Sequence, residues 1–494
     1  MQSLIDTPSE PHRSQDSSPK PSARRAPRSR SLASALFSRH ETVIAVLAYE
    51  GVTAIELVGA YDELAYVPGL RVLVVAAERR PVQTDTGYLQ IAVDATLDEV
   101  PSPDVLLVPG GDLSRGARRA EVLGWIRQAH EKTRYTAAVG RGALLLAEAG
   151  ILRGVRATTH WPFRDELARL GAAPAGGRWV ESGKIFTAQG GTASIDLALA
   201  LLARLCGSLV ARGAQLSTEY DPAPPWGLFT PEQCSQDERS AALDHLTCGA
   251  RAPGAKELEI AVFLYPGMTA LDAMGPYEVL SRLPAVAVRL VAQSLDPIRC
   301  DSGLVLLPTH TLDQVATPDV LVVGGSNASF VAEMSNTETQ RWLRAAHASA
   351  QYTTSVCTGS LILAAAGLLE GHEATSHWMT FPLLSRFGAK PRRVRVAQSG
   401  KLWTGAGVTA GLDFGLTLAG ELRGESTARA IQLALEYNPE PPFDSGTPAK
   451  AGFAVSIATT VMLLLGEATR HSLRLTPGRS LWTFVSWILR GKPR

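Results

Sequence analysis

Four short blocks of this chain occur twice, in the same order. Gly51-Val52-Thr53-Ala54-Ile55-Glu56 returns as Gly267-Met268-Thr269-Ala270-Leu271-Asp272, and Thr159-His160-Trp161 as Ser376-His377-Trp378. Thr192 to Asp196 returns as Thr409 to Asp413, and Glu219-Tyr220-Asp221-Pro222 as Glu436-Tyr437-Asn438-Pro439. In both halves the histidine precedes the aspartate by 36 positions, and the aspartate precedes the glutamate by 23. A repeat this regular means two copies of one folding unit. The length agrees, since 494 residues exceed what a single core serves. The expected units are 41–226 and 257–445. Residues 227–256, mixed and polar with a Pro-Gly end, read as a linker.

Each unit alternates strand and helix. In the second, the pattern predicts strands over 258–265, 286–292, 319–323 and 352–356, with helices over 271–283 and 337–347. Largely apolar strands separated by helices indicate a parallel sheet covered on both faces. Such folds bind ligands at the carboxyl ends of their strands. Gly324-Gly325 follows one strand there, and Cys357 ends another.

Cys357 is followed at once by Thr358-Gly359-Ser360-Leu361-Ile362, a small, helix-prone run. A thiol on a strand-to-helix turn meets unpaired N–H groups and the positive end of the helix dipole, which favour the thiolate. A cysteine nucleophile is well placed there. A buried, inert cysteine is the plain alternative. Alignment on the His-Trp block puts Gly140 and Arg141 of the first unit opposite Cys357 and Thr358, so that unit keeps Glu56 and lacks the thiol. Arg141 beside a helix start suggests an anion pocket.

Composition narrows the classes. A formal net charge of +1 gives no nucleic-acid footprint over the whole chain. The five cysteines, Cys206, Cys234, Cys248, Cys300 and Cys357, include no CxxC pair, which argues against a disulfide scaffold and a zinc site and suits a reducing cytoplasm. Residues 1–40, rich in Ser, Pro and Arg, read as a disordered basic tail without a secretory signal. Residues 446–494 read as a C-terminal helical extension. Its run Ser480 to Arg490 is aromatic and basic, so a packed terminal helix stands beside membrane contact as a reading.

The second unit resembles the DJ-1/PfpI superfamily, and within it the isonitrile hydratases. The matching residues are Leu271-Asp272 with Gly275-Pro276-Tyr277-Glu278, then Ser355-Val356-Cys357-Thr358-Gly359-Ser360 and Ala374-Thr375-Ser376-His377-Trp378. They continue through Gly405 to Phe414 and end at Glu436 to Phe443. The first unit shares the superfamily pattern less closely, and the tails lie outside it. The resemblance implies an α/β chain of two tandem flavodoxin-like (class I glutamine amidotransferase-like) three-layer α/β/α domains.

By the same resemblance Cys357 is the nucleophile and Asp272 the acid/base that hydrogen-bonds to the sulfur. Thr358 lines the pocket through its hydroxyl and N–H. Gly325 offers an N–H to developing negative charge, and His377 is a substrate-side residue. Val323 stands where the family has a proline before two glycines. The implied reaction adds water to an isonitrile through a cysteine thioimidate, a hydro-lyase activity with no metal or organic cofactor.

Each role has a plainer counterpart. Asp272 before an apolar helix suits an N-cap. His377 and Asp413 recur in the unit without the thiol, which favours structural or pocket-shaping roles. Thr358 in place of histidine makes peptidase activity unexpected. A glyoxalase or deglycase-like activity on reactive carbonyls is one alternative, and a ligand-sensing domain in transcription regulation is another. After Phe443 no paired helix-turn-helix pattern follows, so direct nucleic-acid binding is not expected. The first unit reads as a pseudo-enzyme that pairs with the second as an intramolecular pseudo-dimer.

Overall fold

The structure, a computed structural model, describes residues 41–247 and 257–474. The N-terminal tail 1–40, Cys248 and the aromatic run 480–490 lie outside the described residues. In the first unit the strands are β1 (Thr42–Leu47), β2 (Leu70–Ala76), β3 (Ala95–Thr96), β4 (Val105–Val108), β5 (Tyr135–Val139), β6 (Trp179–Ser182) and β7 (Ile185–Ala188). They form one sheet in the order β6-β7-β5-β4-β1-β2-β3. Only β6 runs antiparallel.

The second unit repeats this plan. Its strands are β8 (Leu258–Phe263), β9 (Val286–Ala292), β10 (His310–Thr311), β11 (Val320–Val323), β12 (Tyr352–Val356), β13 (Val396–Ser399) and β14 (Leu402–Gly405). Their order is β13-β14-β12-β11-β8-β9-β10. The central strands are buried along most of their length, as a sheet covered on both faces requires. The predicted strands 286–292 and 352–356 are found at those bounds.

Helices α1 (Ala54–Ala65), α2 (Gly142–Glu148), α3 (Ala193–Cys206) and α4 (Ser208–Ser217) belong to the first unit. α6 (Ala270–Leu280), α7 (Gly359–Ala365), α8 (Ala410–Arg423) and α9 (Glu425–Ala434) are their counterparts, and α1 packs against α6 between the units. The presumed linker differs from expectation. It contains α5 (Gln236–Leu246), opened by a capping box in which Ser235 and Glu238 exchange side-chain and backbone bonds. This helix packs on α9, so the connection is not a flexible coil as far as Thr247.

The two units meet with two-fold correspondence. Asp62 on α1 accepts the N–H of Leu271 at the start of α6 (2.8 Å), and Glu278 on α6 accepts the N–H of Ile55 at the start of α1 (3.3 Å). Each helix thus satisfies an orphan donor of the other. Leu306 and Leu307 pair antiparallel with Ile91 and Gln90, joining short strands of both units in a shared four-stranded sheet. Contacts in which residue i meets j and its counterpart meets i in return are those of an isologous interface. The extension is helical over Pro448–Arg474 with a break at Gly452, and it rests on α4, where Arg212 bonds Ala451 O (3.1 Å). Among the described residues no helix is long and apolar enough to cross a membrane.

Candidate active site

Cys357 links β12 to α7 with φ of +59°, in the left-handed region. For a residue with a Cβ this costs about 1–2 kcal/mol. The turn is held on both sides. The Cys357 N–H donates to Ala406 O (2.7 Å), and its carbonyl accepts from the hydroxyls of Ser360 (2.9 Å) and Ser376 (3.1 Å). Gly140 occupies the matching place between β5 and α2 with φ of +53°. The first unit therefore keeps the elbow with a residue that bears no strain there.

Asp272 faces the elbow from the first turn of α6. It is not the N-cap, which is Thr269. Its Oδ2 accepts the N–H of Gly325 (2.9 Å), while Oδ1 is buried with no hydrogen-bond partner. Asp272 and Cys357 are close enough for each to shift the other's proton. Burial first, then nearby carboxylates, holds the Asp272 carboxyl well above its usual range. Burial and the Asp272 charge push the Cys357 thiol up as well, against a smaller opposing effect of the Thr358 N–H. This corrects the expectation of a resting thiolate. Desolvation outweighs the short helix, and the neutral thiol and neutral acid are favoured together.

Three further expectations change. The Gly325 N–H is occupied by Asp272, so it positions the acid and is not open to an oxyanion. The Thr358 hydroxyl is taken up by the loop after β11, accepting from Ser326 N (2.8 Å) and donating to Ser326 O (2.9 Å). Val323 is the last residue of β11, as Val108 is of β4. Glu56 accepts from Gly110 N as Asp272 does from Gly325 N, so Gly324 is the residue opposite Pro109.

His377 points at the other unit. Its Nε2 lies 3.2 Å from Ser217 O, and burial pushes its pKa down to about 4, so the ring is neutral. Asp413 is an interface residue, paired with Arg395 (2.6 Å) and bonded by the Tyr437 hydroxyl (2.8 Å). Arg395 in turn donates to Glu219 O (2.7 Å), and Arg178 bonds Glu436 O in the mirrored arrangement.

These contacts expose a residue that the sequence reading left among the repeated blocks. Glu219 belongs to the first unit, yet its carboxyl lies against the backbone of Trp378 and Gly407 in the second, with Oε2 buried and without a hydrogen-bond partner. Gly407 leaves no room for a Cβ there. Burial pushes Glu219 up to about 7, and its charge adds to the rise of the Cys357 thiol. Glu436 makes the reciprocal visit, accepting from Trp161 N (3.2 Å) and Gly190 N. Both glutamates adopt left-handed backbone, φ +45° and +44°. The signal in the sequence was the pairing itself: a glutamate retained in both copies whatever became of the thiol.

In the first unit Glu56 fills the space of the missing sulfur. Its oxygens accept from Gly110 N (2.6 Å) and Gly191 N (2.8 Å), and a Cβ at Gly140 would come within 2.5 Å of Oε1. Asp272 is one methylene shorter, and that difference leaves room for Cys357. Among the described residues no cluster of His, Cys, Asp and Glu has the arrangement of a metal site.

A largely parallel α/β sheet with a strand-to-helix elbow that carries a left-handed cysteine over a buried carboxyl defines the class of α/β protein. The DJ-1/PfpI family model matches residues 42–204 and 258–421, and the chain belongs to that family, in tandem. It is 49% identical over 198 residues to the isonitrile hydratase of Pseudomonas putida, covering 40% of this chain and 86% of that protein. It is 30% identical over 167 residues to the helix-turn-helix-type transcriptional regulator CdhR of Pseudomonas aeruginosa, 33% of this chain and 47% of the regulator. Among solved structures, a ThiJ/PfpI family protein from Pseudomonas syringae aligns with 42% identity and a TM-score of 0.41, over 43% of this chain and 87% of that one.

Proposed function

We propose that the second unit hydrates an isonitrile to an N-substituted formamide, with Cys357 as nucleophile and Asp272 as acid and base. The carrying observation is the pair of neutral groups, thiol and carboxylic acid, buried together at the elbow. The likeness to an isonitrile hydratase supports the same reading. An isonitrile needs a proton on its terminal carbon as that carbon is attacked. Protonated Asp272 delivers that proton while sulfur bonds to the carbon, and the thiol proton passes to the carboxylate. The product is a thioimidate on Cys357. Asp272 then gives its proton to the imidate nitrogen and takes one from the water that adds to the same carbon. As the carbonyl forms, the carboxyl relays the new hydroxyl's proton to the departing sulfur. The C–S bond breaks, the thiol is restored, and the formamide leaves. One carboxyl alternates between acid and base, which suits a pKa lifted by burial.

The purified chain is expected to convert cyclohexyl isocyanide to the formamide. Cys357→Ala abolishes turnover with the fold intact by circular dichroism. Asp272→Asn lowers it by about three orders of magnitude, in the range of acid–base roles, and Glu56→Gln leaves it nearly unchanged. Formamide production by the Cys357→Ala variant would end this reading. The similarity to a transcriptional regulator favours a second one, in which the family fold senses a ligand. Binding of an isonitrile without formamide release would support sensing over hydration.

A further inference from the structure

Around Glu56 and Arg141, the first unit's counterparts of Asp272 and Thr358, lies a cavity of about 310 Å³. Its walls come from three parts of the chain: the first unit, α5 with Leu243 and Leu246, and Leu435 of the second unit. Two cations line it. Arg282 is compensated by Asp85 (2.9 Å) and Glu278. Arg141 makes no ion pair among the described residues, and its buried Nε has no hydrogen-bond partner. The guanidinium is braced instead by the Phe163 ring, 4.5 Å from its centroid.

The surrounding titratable groups leave that charge uncompensated by contact. Burial pushes Glu56 up to about 8, so it is protonated at neutral pH. Burial, then the Arg141 charge, pushes His160 down to about 3, so its ring is neutral, with Nε2 lacking a hydrogen-bond partner. Asp85 is engaged by Arg282 and by the Thr53 hydroxyl (2.9 Å). Asp112 accepts from Ser114 N (3.1 Å) and Ser114 Oγ (2.7 Å). A fixed guanidinium beside apolar walls matches a ligand with one anionic end and a compact hydrocarbon body.

We propose that this cavity binds a small monocarboxylic acid, its carboxylate on Arg141 and its apolar body against Phe163, Leu246 and Leu435. The unit without a thiol is then a binding site in its own right, independent of any chemistry at Cys357. The ligand would touch the helix that joins the units and Leu435, the residue before Glu436, so its occupancy is sensed at the interface.

The test is calorimetric titration of the full chain with benzoate at neutral pH and fixed ionic strength, with benzamide as the uncharged control. Saturable binding of benzoate at one site, and none of benzamide, is expected. Arg141→Gln keeps a polar, though shorter, side chain and removes the charge, and weakens benzoate binding about tenfold or more. Leu246→Trp fills the apolar end and abolishes it, with thermal melting reporting whether that variant folds. Lack of saturation at millimolar benzoate would overturn the proposal, as would equal affinity in Arg141→Gln or equal binding of benzamide.

Discussion

At the scale of single residues, one methylene separates the two copies. Glu56 reaches the ground that a thiol would need, whereas Asp272 stops short and leaves Cys357 room. The elbow cysteine was legible in the sequence because it ends an apolar strand before a small helix-prone run, and the carboxyl beside it because Asp272 stands in a repeated block. Their protonation was not. Helix-end logic favoured a thiolate, but full burial and an adjacent carboxyl dominate. In the proposed reaction Asp272 carries its proton at the start, so kcat should hold through neutral pH and fall on the alkaline side. A pH–rate profile that instead rises steadily with pH would point to a thiolate without an acid. Glu219 was legible as a repeated residue and not as a site residue, because nothing local shows which unit a side chain will enter. Glu219→Gln, far from Cys357 in sequence, should lower kcat by about tenfold or more while leaving the melting temperature within a few degrees. Unchanged kinetics would reduce Glu219 to an interface residue.

At the scale of elements, strands were the most legible part, since continuous apolar runs between turn residues have few other readings. The helix at 236–246 was missed although its capping signature, Ser235 followed three residues later by Glu238, stands in the sequence. Its weak apolar pattern hid it, because it buries little beyond Ala242 and His245. α1 carries a different cost. Glu63 is buried within it, and burial pushes its pKa from 4.5 to about 8. The folded state thus holds this proton more tightly than the unfolded chain. The stability so gained is complete below about 4.5 and is lost as pH rises toward 8. Glu63→Gln should match the parent protein near pH 5 and exceed it by about 2–4 kcal/mol above pH 8 in denaturant titrations. Parallel pH dependence of the two proteins would show that Glu63 ionises freely.

At the scale of the whole molecule, the repeat foretold two copies but not how they exchange parts. Asp62 and Glu278 cap each other's helices, and the Glu-Tyr blocks cross from one unit to the other. The first unit thereby brings Glu219 into the surroundings of Cys357. Because linked copies pair within the chain before they pair between chains, light scattering should report a monomer. A form ending near residue 446 should remain one, with lower stability from the exposed face of α4. A stable dimer in both forms would mean that fusion did not replace pairing between chains. The proposed reaction runs through a covalent bond at Cys357, in a site to which both units contribute. Acid quenching of the full chain during turnover of cyclohexyl isocyanide, followed by peptide mass spectrometry, tests it most directly. One added isocyanide is expected on the peptide bearing Cys357 and on no other cysteine. Formamide accumulating with Cys357 unmodified throughout would contradict it.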